Sequence, residues 1–321
     1  MSSYKSFIVD AFTNTPFAGN PAAVCFIEKK LTTDKYQQIA AEFNLSETAF
    51  PVPLDGESYQ NASRFSLRWF TPTVEVNLCG HATLATAHAI FNESGNANDA
   101  ITFETKSGEL TVSQDKEKKK LVMNFPQFTE WVAFESPLIT PGTNQITTDI
   151  PRENAPEFVN EFVKLLTPNA TCAYLALSTE SKKLLIVLPD TVTRNELLSL
   201  TPNAEQLLKV HDGSKVRGVV VTVAPKDAKK QEFVDGNDRE FDYVSRYFAP
   251  WVGIPEDPAT GSSQSALAPF WAKAKGFNGP FYAYQCFPGR GALFNLELTS
   301  SKRLNIVGQA VTVLRGELSI N

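Results

Sequence analysis

The sequence predicts an α+β chain made of two related halves, each a strand-rich sheet wrapped on one long helix. Three observations carry that expectation. First, the β-prone positions Val74, Val76 and Leu78 lead to Gly80 and then to alanine-rich sequence through His88, with Leu84 and His88 at i and i+4. Second, the approach is repeated. Arg68-Trp69-Phe70-Thr71-Pro72 precedes Cys79-Gly80-His81, and Arg246-Tyr247-Phe248-Ala249-Pro250 precedes Thr260-Gly261-Ser262, which opens another helical segment. Third, Gly80 to Gly108 and Gly261 to Gly289 are the same 28-residue step, with Phe103-Glu104 and Tyr284-Gln285 at matching offsets. A two-copy repeat of this length is a duplicated domain rather than a solenoid. The 321 residues suffice for two cores.

Taken in order, residues 7–10 form a short strand, and the turn Phe17-Ala18-Gly19-Asn20-Pro21 feeds a second at 22–27. Thr33-Asp34 caps a helix whose buried stripe is Ile39, Ala40 and Phe43, and Asn44-Leu45-Ser46 leaves it for a strand starting near Glu47. Strands follow at 65–70, 74–78, 101–105 and 109–114, the first central helix falling between the second and third of these. The charge run 116–120 is a solvated hairpin tip, and 121–125 completes the hairpin. Residues 126–150 hold Pro, Gly, Thr and Asn without periodicity, so the crossover between halves falls near their start. The division is then 1–126, with a C-terminal strand near 311–321 available to complete it, and 127–321.

In the second half, 155–166 reads as an amphipathic helix, 194–200 and 204–210 as short helices, and 226–230 as a loop tip. Strands are expected at 172–177, 184–188, 219–223, 281–286, 292–298 and 311–320. A strand at 241–248 should expose Asp242 and Arg246, and 251–259 is a proline-broken approach to the second glycine turn.

Composition excludes several classes of function. A net charge of -5 and a pI near 5.4 leave no electrostatic footprint for nucleic acid or an anionic membrane. The start lacks an apolar leader and no run reaches membrane-spanning length, so a cytoplasmic protein is expected. The four cysteines show no Cys-x-x-Cys spacing and read as reduced thiols. His81, His88 and His211 fall into no recognised metal-ligand spacing, and no phosphate loop, dinucleotide fingerprint or Gly-x-Ser-x-Gly elbow is present.

The chemistry concentrates at the two glycine turns. The first amides of a helix lack intrahelical partners and carry the positive end of its dipole, so the backbone at Gly80 and Gly261 can bind a carboxylate. If the halves pack face to face, both starts converge on one ligand in the cleft, with His81 at its lip. Glu47, at a helix-to-strand junction among uncharged residues, is either a hydrogen-bonded turn carboxylate or an acid/base. Cys79 occupies the first helix start, where the dipole would acidify its thiol, or is a small buried residue; Thr260 occupies the second start. Arg290, between two glycines, is an anion contact or a solvated turn residue.

Five motifs stand in order along the chain: Gly19-Asn20-Pro21-Ala22-Ala23-Val24, Asn44-Leu45-Ser46-Glu47-Thr48, Phe70-Thr71-Pro72, Cys79-Gly80-His81-Ala82-Thr83 and Asp257-Pro258-Ala259-Thr260-Gly261-Ser262. In this the sequence resembles the PhzF-like isomerase family of phenazine biosynthesis, from Val9 to Gly316. The resemblance implies a diaminopimelate epimerase-like fold, two duplicated domains that are each a barrel-like, mostly antiparallel sheet around a central helix. It also implies a cofactor-independent isomerase, usually a homodimer, acting on a small carboxylate-bearing metabolite in the interdomain cleft. Carried over, Glu47 is the general acid/base that moves a carbon-bound proton, and His81, Asp257 and Ser262 surround the substrate with Gly80 and Gly261. Cys79, Thr260 and Asn20 are secondary. Asp257 would accept from a substrate amine or hydroxyl, orient His81, or be a turn residue before Pro258. Epimerases of this fold use two opposed cysteines; Thr260 at the second position is far too weak an acid for that role. The rivals are a relative that binds a metabolite or a protein without turnover, and an epimerase using Glu47 and Cys79 as unlike acid and base.

Overall fold

A computed structural model describes residues 2–55, 58–140, 146, 148–167 and 172–320. Within the unpatterned stretch 126–150, residues 141–145 and 147 lie outside the described residues.

The two halves share one continuous ladder of strands. Ser2–Ala11 pairs antiparallel with Asn20–Cys25 on one side and with the C-terminal strand Ala310–Ile320 on the other. From Asn20–Cys25 the ladder runs through Glu47–Pro53, Arg64–Phe70, Ala100–Thr105, Gly108–Asp115 and Lys120–Pro126. Lys120–Pro126 then pairs antiparallel with Arg303–Gly308, which carries the ladder into the second half. There it continues through Arg290–Leu298, Phe281–Phe287, Tyr243–Ala249, Gly218–Val223, Lys183–Val187, Tyr174–Ser178 and Trp131–Glu135. Most pairs are antiparallel.

The duplication is visible as geometry. Arg64–Phe70 pairs parallel with Ala100–Thr105 and antiparallel with the short strand Glu75–Val76; Tyr243–Ala249 pairs in the same senses with Phe281–Phe287 and Ile254–Asp257. Arg68 holds Glu75 through two bonds of 2.7 and 2.8 Å, and Arg246 holds Glu256 at the same distances. The repeated arginine thus clamps the return strand that leads to each glycine turn.

Each half surrounds one helix, Gly80–His88 in the first and Gly261–Lys275 in the second. Residues 80–87 and 261–268 are all buried, which accounts for their small side chains and the lack of a polar face. Both helices feed one apolar cluster that spans the halves, with Leu84 and Ala85 from the first and Leu267 and Phe270 from the second. Pro269 lies inside the second helix, where it removes one N–H bond to the carbonyl four residues back. That carbonyl, on Ser265, accepts instead from the Phe128 amide of the crossover segment at 2.8 Å. A second cluster fills the outer side of the second sheet under the helices Glu157–Leu166, Arg194–Leu198 and Ala204–Val210. A third lies under the helix Thr33–Phe43.

Several expectations are corrected. The cap of Thr33–Phe43 is Thr32, whose hydroxyl accepts from the Lys35 amide at 3.3 Å, and the buried stripe uses Tyr36 with Ile39 and Ala40 while Phe43 is only half-buried. The strand expected over 74–78 shrinks to Glu75–Val76, because it pairs only with the end of Arg64–Phe70. Within 126–150 lies the strand Trp131–Glu135, and Arg303–Gly308 is a further strand that short alternation did not announce. Arg246, expected to be exposed, is 1% exposed. Its guanidinium donates to Glu256 and to the carbonyls of Leu197, Leu198 and Leu200 at 2.7–3.3 Å, a satisfied set that makes a buried charge tolerable. Among the described residues no helix is long and apolar enough to cross a membrane.

Candidate active site

The glycine turns meet back to back. A Cβ placed on Gly80 would lie 2.5 Å from the Gly261 Cα, and one on Gly261 would lie 2.8 Å from the Gly80 Cα. Only residues without a side chain let the two helix starts approach this closely. Neither start is capped by a side chain: Cys79 and Thr260, both extended, stand at the N-cap positions and bond the first turn through their carbonyls alone. Two dipole ends therefore open at one point.

Beside them is a cavity of about 770 Å³. It gathers Glu47, Cys79, Gly80, His81, Asp257, Thr260 and Ser262 along its wall. Asn20 and Gly261 are not part of that wall. Asn20 stands behind it, donating from Nδ2 to Asp257 Oδ1 at 2.6 Å and to the Ala259 carbonyl at 3.1 Å, and so ties the first half to the second.

Local sequence explains why Glu47 points here. Asn44 ends the preceding helix in the left-handed region, at φ 51°, where asparagine is tolerated better than most residues. The chain reverses and Glu47 becomes the first residue of its strand, paired parallel with Ala22. It is 6% exposed, and Oε2 lies at an ion-pair distance of 3.1 Å from His81 Nε2 without a hydrogen-bond partner. Ser46 Oγ lies 3.2 Å from the same nitrogen, and Cys79 Sγ is 3.5 Å from Nδ1. His81 was expected at the lip of the site; at 1% exposure it is inside, held between three partners.

The electrostatics follow from this packing. Burial draws His81 down, but the neighbouring Cys79 and Glu47 reverse that and hold it well above the ordinary histidine range. Cys79 is itself pushed up to about 11, first by burial and then by Glu47, and so is an uncharged thiol near neutrality. Of the two readings of Cys79, the small buried residue fits and the acidified thiol does not, desolvation being the largest influence on it. Asp257 is raised to about 6, chiefly by burial, with His81 opposing and Glu47 adding to the rise. Its Oδ2 accepts from the Thr260 hydroxyl. Asp257 is bonded to Asn20 and Thr260 rather than to His81, so it does not orient the imidazole by a hydrogen bond.

Glu47, Cys79 and His81 offer ligand atoms within 4.8 Å of one another, close enough for one cation. The imidazole presents Nε2 to Glu47 and Nδ1 to Cys79, however, and one ion would engage only one of those nitrogens. The arrangement fits an imidazole held between a carboxylate and a thiol better than a metal cage.

Three further residues shape the site. Gln285 receives the Thr260 amide at 2.9 Å and donates to the Asp257 carbonyl at 2.6 Å, fixing the turn before the second helix. Tyr247 is the register partner of Asp257 and walls the cavity, as does Lys183. The matching offsets of Phe103-Glu104 and Tyr284-Gln285 were the only signal for Gln285. Nothing local marked Lys183, which reads as one polar position in an apolar strand. Arg290, the alternative anion contact, donates to the Gly19 carbonyl at 3.3 Å and does not line this cavity.

Comparison with known proteins identifies the family. Residues 9–316 match the family model described as phenazine biosynthesis-like protein. The chain belongs to that family. It is 39% identical over 314 residues to a phenazine biosynthesis-like domain-containing protein of Bos taurus, 98% of each chain being covered. It is 36% identical over 319 residues to an uncharacterized isomerase of Halalkalibacterium halodurans, at 99% of each. Among solved structures it is similar to a phenazine biosynthesis protein of the PhzF family from Enterococcus faecalis, with a TM-score of 0.74, 32% identity, and coverage of 99% of this chain and 100% of that one. The α+β, diaminopimelate epimerase-like architecture expected from the sequence is therefore that of the phenazine biosynthesis-like chain described here.

Proposed function

We propose that this phenazine biosynthesis-like protein is an isomerase that moves a carbon-bound proton on a small carboxylate-bearing metabolite, with Glu47 as the general acid/base. The observation that carries the reading is the Glu47 Oε2 atom, buried at the cavity wall without a hydrogen bond, beside two uncapped helix starts. A relative 36% identical over nearly all of both chains carries the name isomerase, which supports the same class of reaction.

In this reading the Gly80-His81 and Gly261-Ser262 amides hold the substrate carboxylate and fix its orientation. Glu47, as the carboxylate, takes a proton from an activated carbon; the electron pair of the C–H bond passes into the adjacent unsaturated system. The protonated Glu47 then returns a proton to a second carbon, so one group serves both steps, and exchange of its acidic proton with solvent before that return carries deuterium onto carbon. The imidazolium of His81, beside Glu47, stabilises negative charge that develops on the substrate. Asp257 faces the bound amine or hydroxyl. Cys79 is a poor partner for a second proton transfer, since its thiol is pushed up to about 11 and packed against His81, so the two-residue epimerase is the weaker reading.

The test pairs wild type with Glu47→Gln. Both are screened for thermal stabilisation by small carboxylic and amino acids, and the hits are incubated in deuterated water and read by NMR. A carboxylate that stabilises both forms, with carbon-bound exchange slowed about 10²–10⁴-fold or more in the variant, is the expected result. Exchange at the wild-type rate in Glu47→Gln removes Glu47 from the role. Failure of every small molecule to stabilise either form overturns metabolite isomerisation and points to a protein ligand.

A further inference from the structure

Lys183 opens the strand Lys183–Val187 and is 8% exposed. It lines the same cavity as Glu47 and His81. Its ammonium faces two aromatic rings, with Nζ 6.0 Å from the centroids of Phe128 and Tyr247. Among the described residues no carboxylate pairs with it and no acceptor takes a hydrogen bond from it. Other polar groups on this wall are occupied: Lys182 donates to the Ser214 carbonyl at 2.8 Å, Arg217 to the Gly213 carbonyl at 3.3 Å, and Glu180 accepts from the amides of Thr129 and Glu130. Among the described residues of this wall, Lys183 is the cation with neither a carboxylate nor a hydrogen-bond acceptor, whereas Lys182 and Arg217 each donate to a backbone carbonyl.

A buried ammonium with only ring faces for company is costly, and burial alone pushes Lys183 down to about 8. It still carries its charge near neutral pH. Such a group is retained at an expense in stability when something outside the chain supplies the counter-charge.

Sheet register says where that counter-charge would sit. Asp257 pairs with Tyr247, Tyr247 with Val220, and Val220 with Leu185; Lys183 is two residues before Leu185 on the same strand. Direct register partners and residues two apart share a sheet face, so Lys183 projects from the same face as Asp257, three strands away. At ~4.8 Å per strand that separation is about 14 Å between backbones, and the two side chains close part of it. The lysine's own register partner, Gly218, has no side chain; its place is filled by the Tyr247 phenol, against which a Cβ on Gly218 would collide. A cleft runs between the helix starts at one end and the ammonium at the other, walled by Tyr247 and Phe128.

We propose that Lys183 is the counter-ion for a second anionic group of the ligand, so that the substrate class of this cleft is a dianion. One carboxylate sits at the Gly80 and Gly261 helix starts, and a distal carboxylate or phosphate sits on Lys183. The proposal rests on the carboxylate site of the preceding section and adds to it the far end of the molecule.

The experiment measures binding of glutarate and adipate against pentanoate and hexanoate, with 2-phosphoglycolate as the phosphate arm, by calorimetry on the full chain. Wild type, Lys183→Met and Lys183→Arg are compared. Removing an unpaired buried cation favours folding, so Lys183→Met is expected to fold at least as well as wild type. The expected result is about tenfold or greater preference for the dianion in wild type, loss of that preference in Lys183→Met with monocarboxylate affinity unchanged, and recovery in Lys183→Arg. Preference for 2-phosphoglycolate over both dicarboxylates assigns a phosphate to the Lys183 end; the reverse assigns a carboxylate. Monocarboxylate binding in wild type without a dianion preference, or a preference that survives in Lys183→Met, overturns the role of Lys183 alone. Absence of binding by every probe overturns both this role and the carboxylate site on which it rests.

Discussion

Replacing Gly80 by alanine tests the geometry on which the site depends. The added Cβ would lie 2.5 Å from the Gly261 Cα, 3.0 Å from its nitrogen and 3.1 Å from its carbonyl carbon, whereas ordinary contacts of this kind are 3.4–4 Å. All three obstructing atoms are backbone, so no rotamer change gives relief and the two helix starts must part by about 1 Å. Overpacking of this kind costs about 1–3 kcal/mol. At about 2.1 cal/mol/K of unfolding entropy per residue over 321 residues, that lowers Tm by about 1.5–4.5 °C. The functional loss should be larger than the stability loss, because a 1 Å misplacement of a positioned group costs about 10² in rate. The assay is thermal unfolding with calorimetric binding of the stabilising carboxylate, with Gly236→Ala as the control, a glycine whose Cβ position is open space. The control should stay within about 0.5 kcal/mol of wild type. A Gly80→Ala protein with wild-type Tm and wild-type carboxylate affinity would refute the back-to-back arrangement of the two starts.

Three further substitutions probe buried and half-buried charges. Asp257, raised from 3.8 to about 6 mainly by burial, binds its proton more tightly in the folded than in the unfolded chain. Its contribution to stability is present at low pH and is lost as pH rises through about 4 to 6, by about 3 kcal/mol in all. Asp257→Asn should remove that fall in urea unfolding followed at pH 4, 5, 6 and 7; an unchanged pH profile would sink the assignment. Arg246→Met should cost about 3–5 kcal/mol, because it strands the half-buried Glu256 and three carbonyls, and denaturant unfolding reads it directly. The equivalent Arg68→Met, at a side chain 28% exposed, should cost less than half as much, and equal costs would contradict the difference in burial.

The sequence by itself determined the parts of this protein that are written locally or twice. The repeated Arg-x-Phe-x-Pro approach and the two glycine-to-alanine transitions announced both central helices, because a small-residue helix that follows a glycine needs no tertiary information to be recognised. Asn44 and Glu47 were legible as a helix exit and a strand start for the same reason. Burial of individual polar groups was not legible. Arg246 and Lys183 are both lone basic residues in strands; only the ladder reveals that one meets Glu256 and three carbonyls while the other meets two rings and a cavity. Tertiary structure also decided the state of Cys79, whose thiol is raised by burial and by the nearness of Glu47. The meeting of Gly80 with Gly261 is decided there too. A sequence shows that each glycine opens a helix, but the contact that removes both Cβ atoms exists only once 181 residues of chain have brought the two starts together.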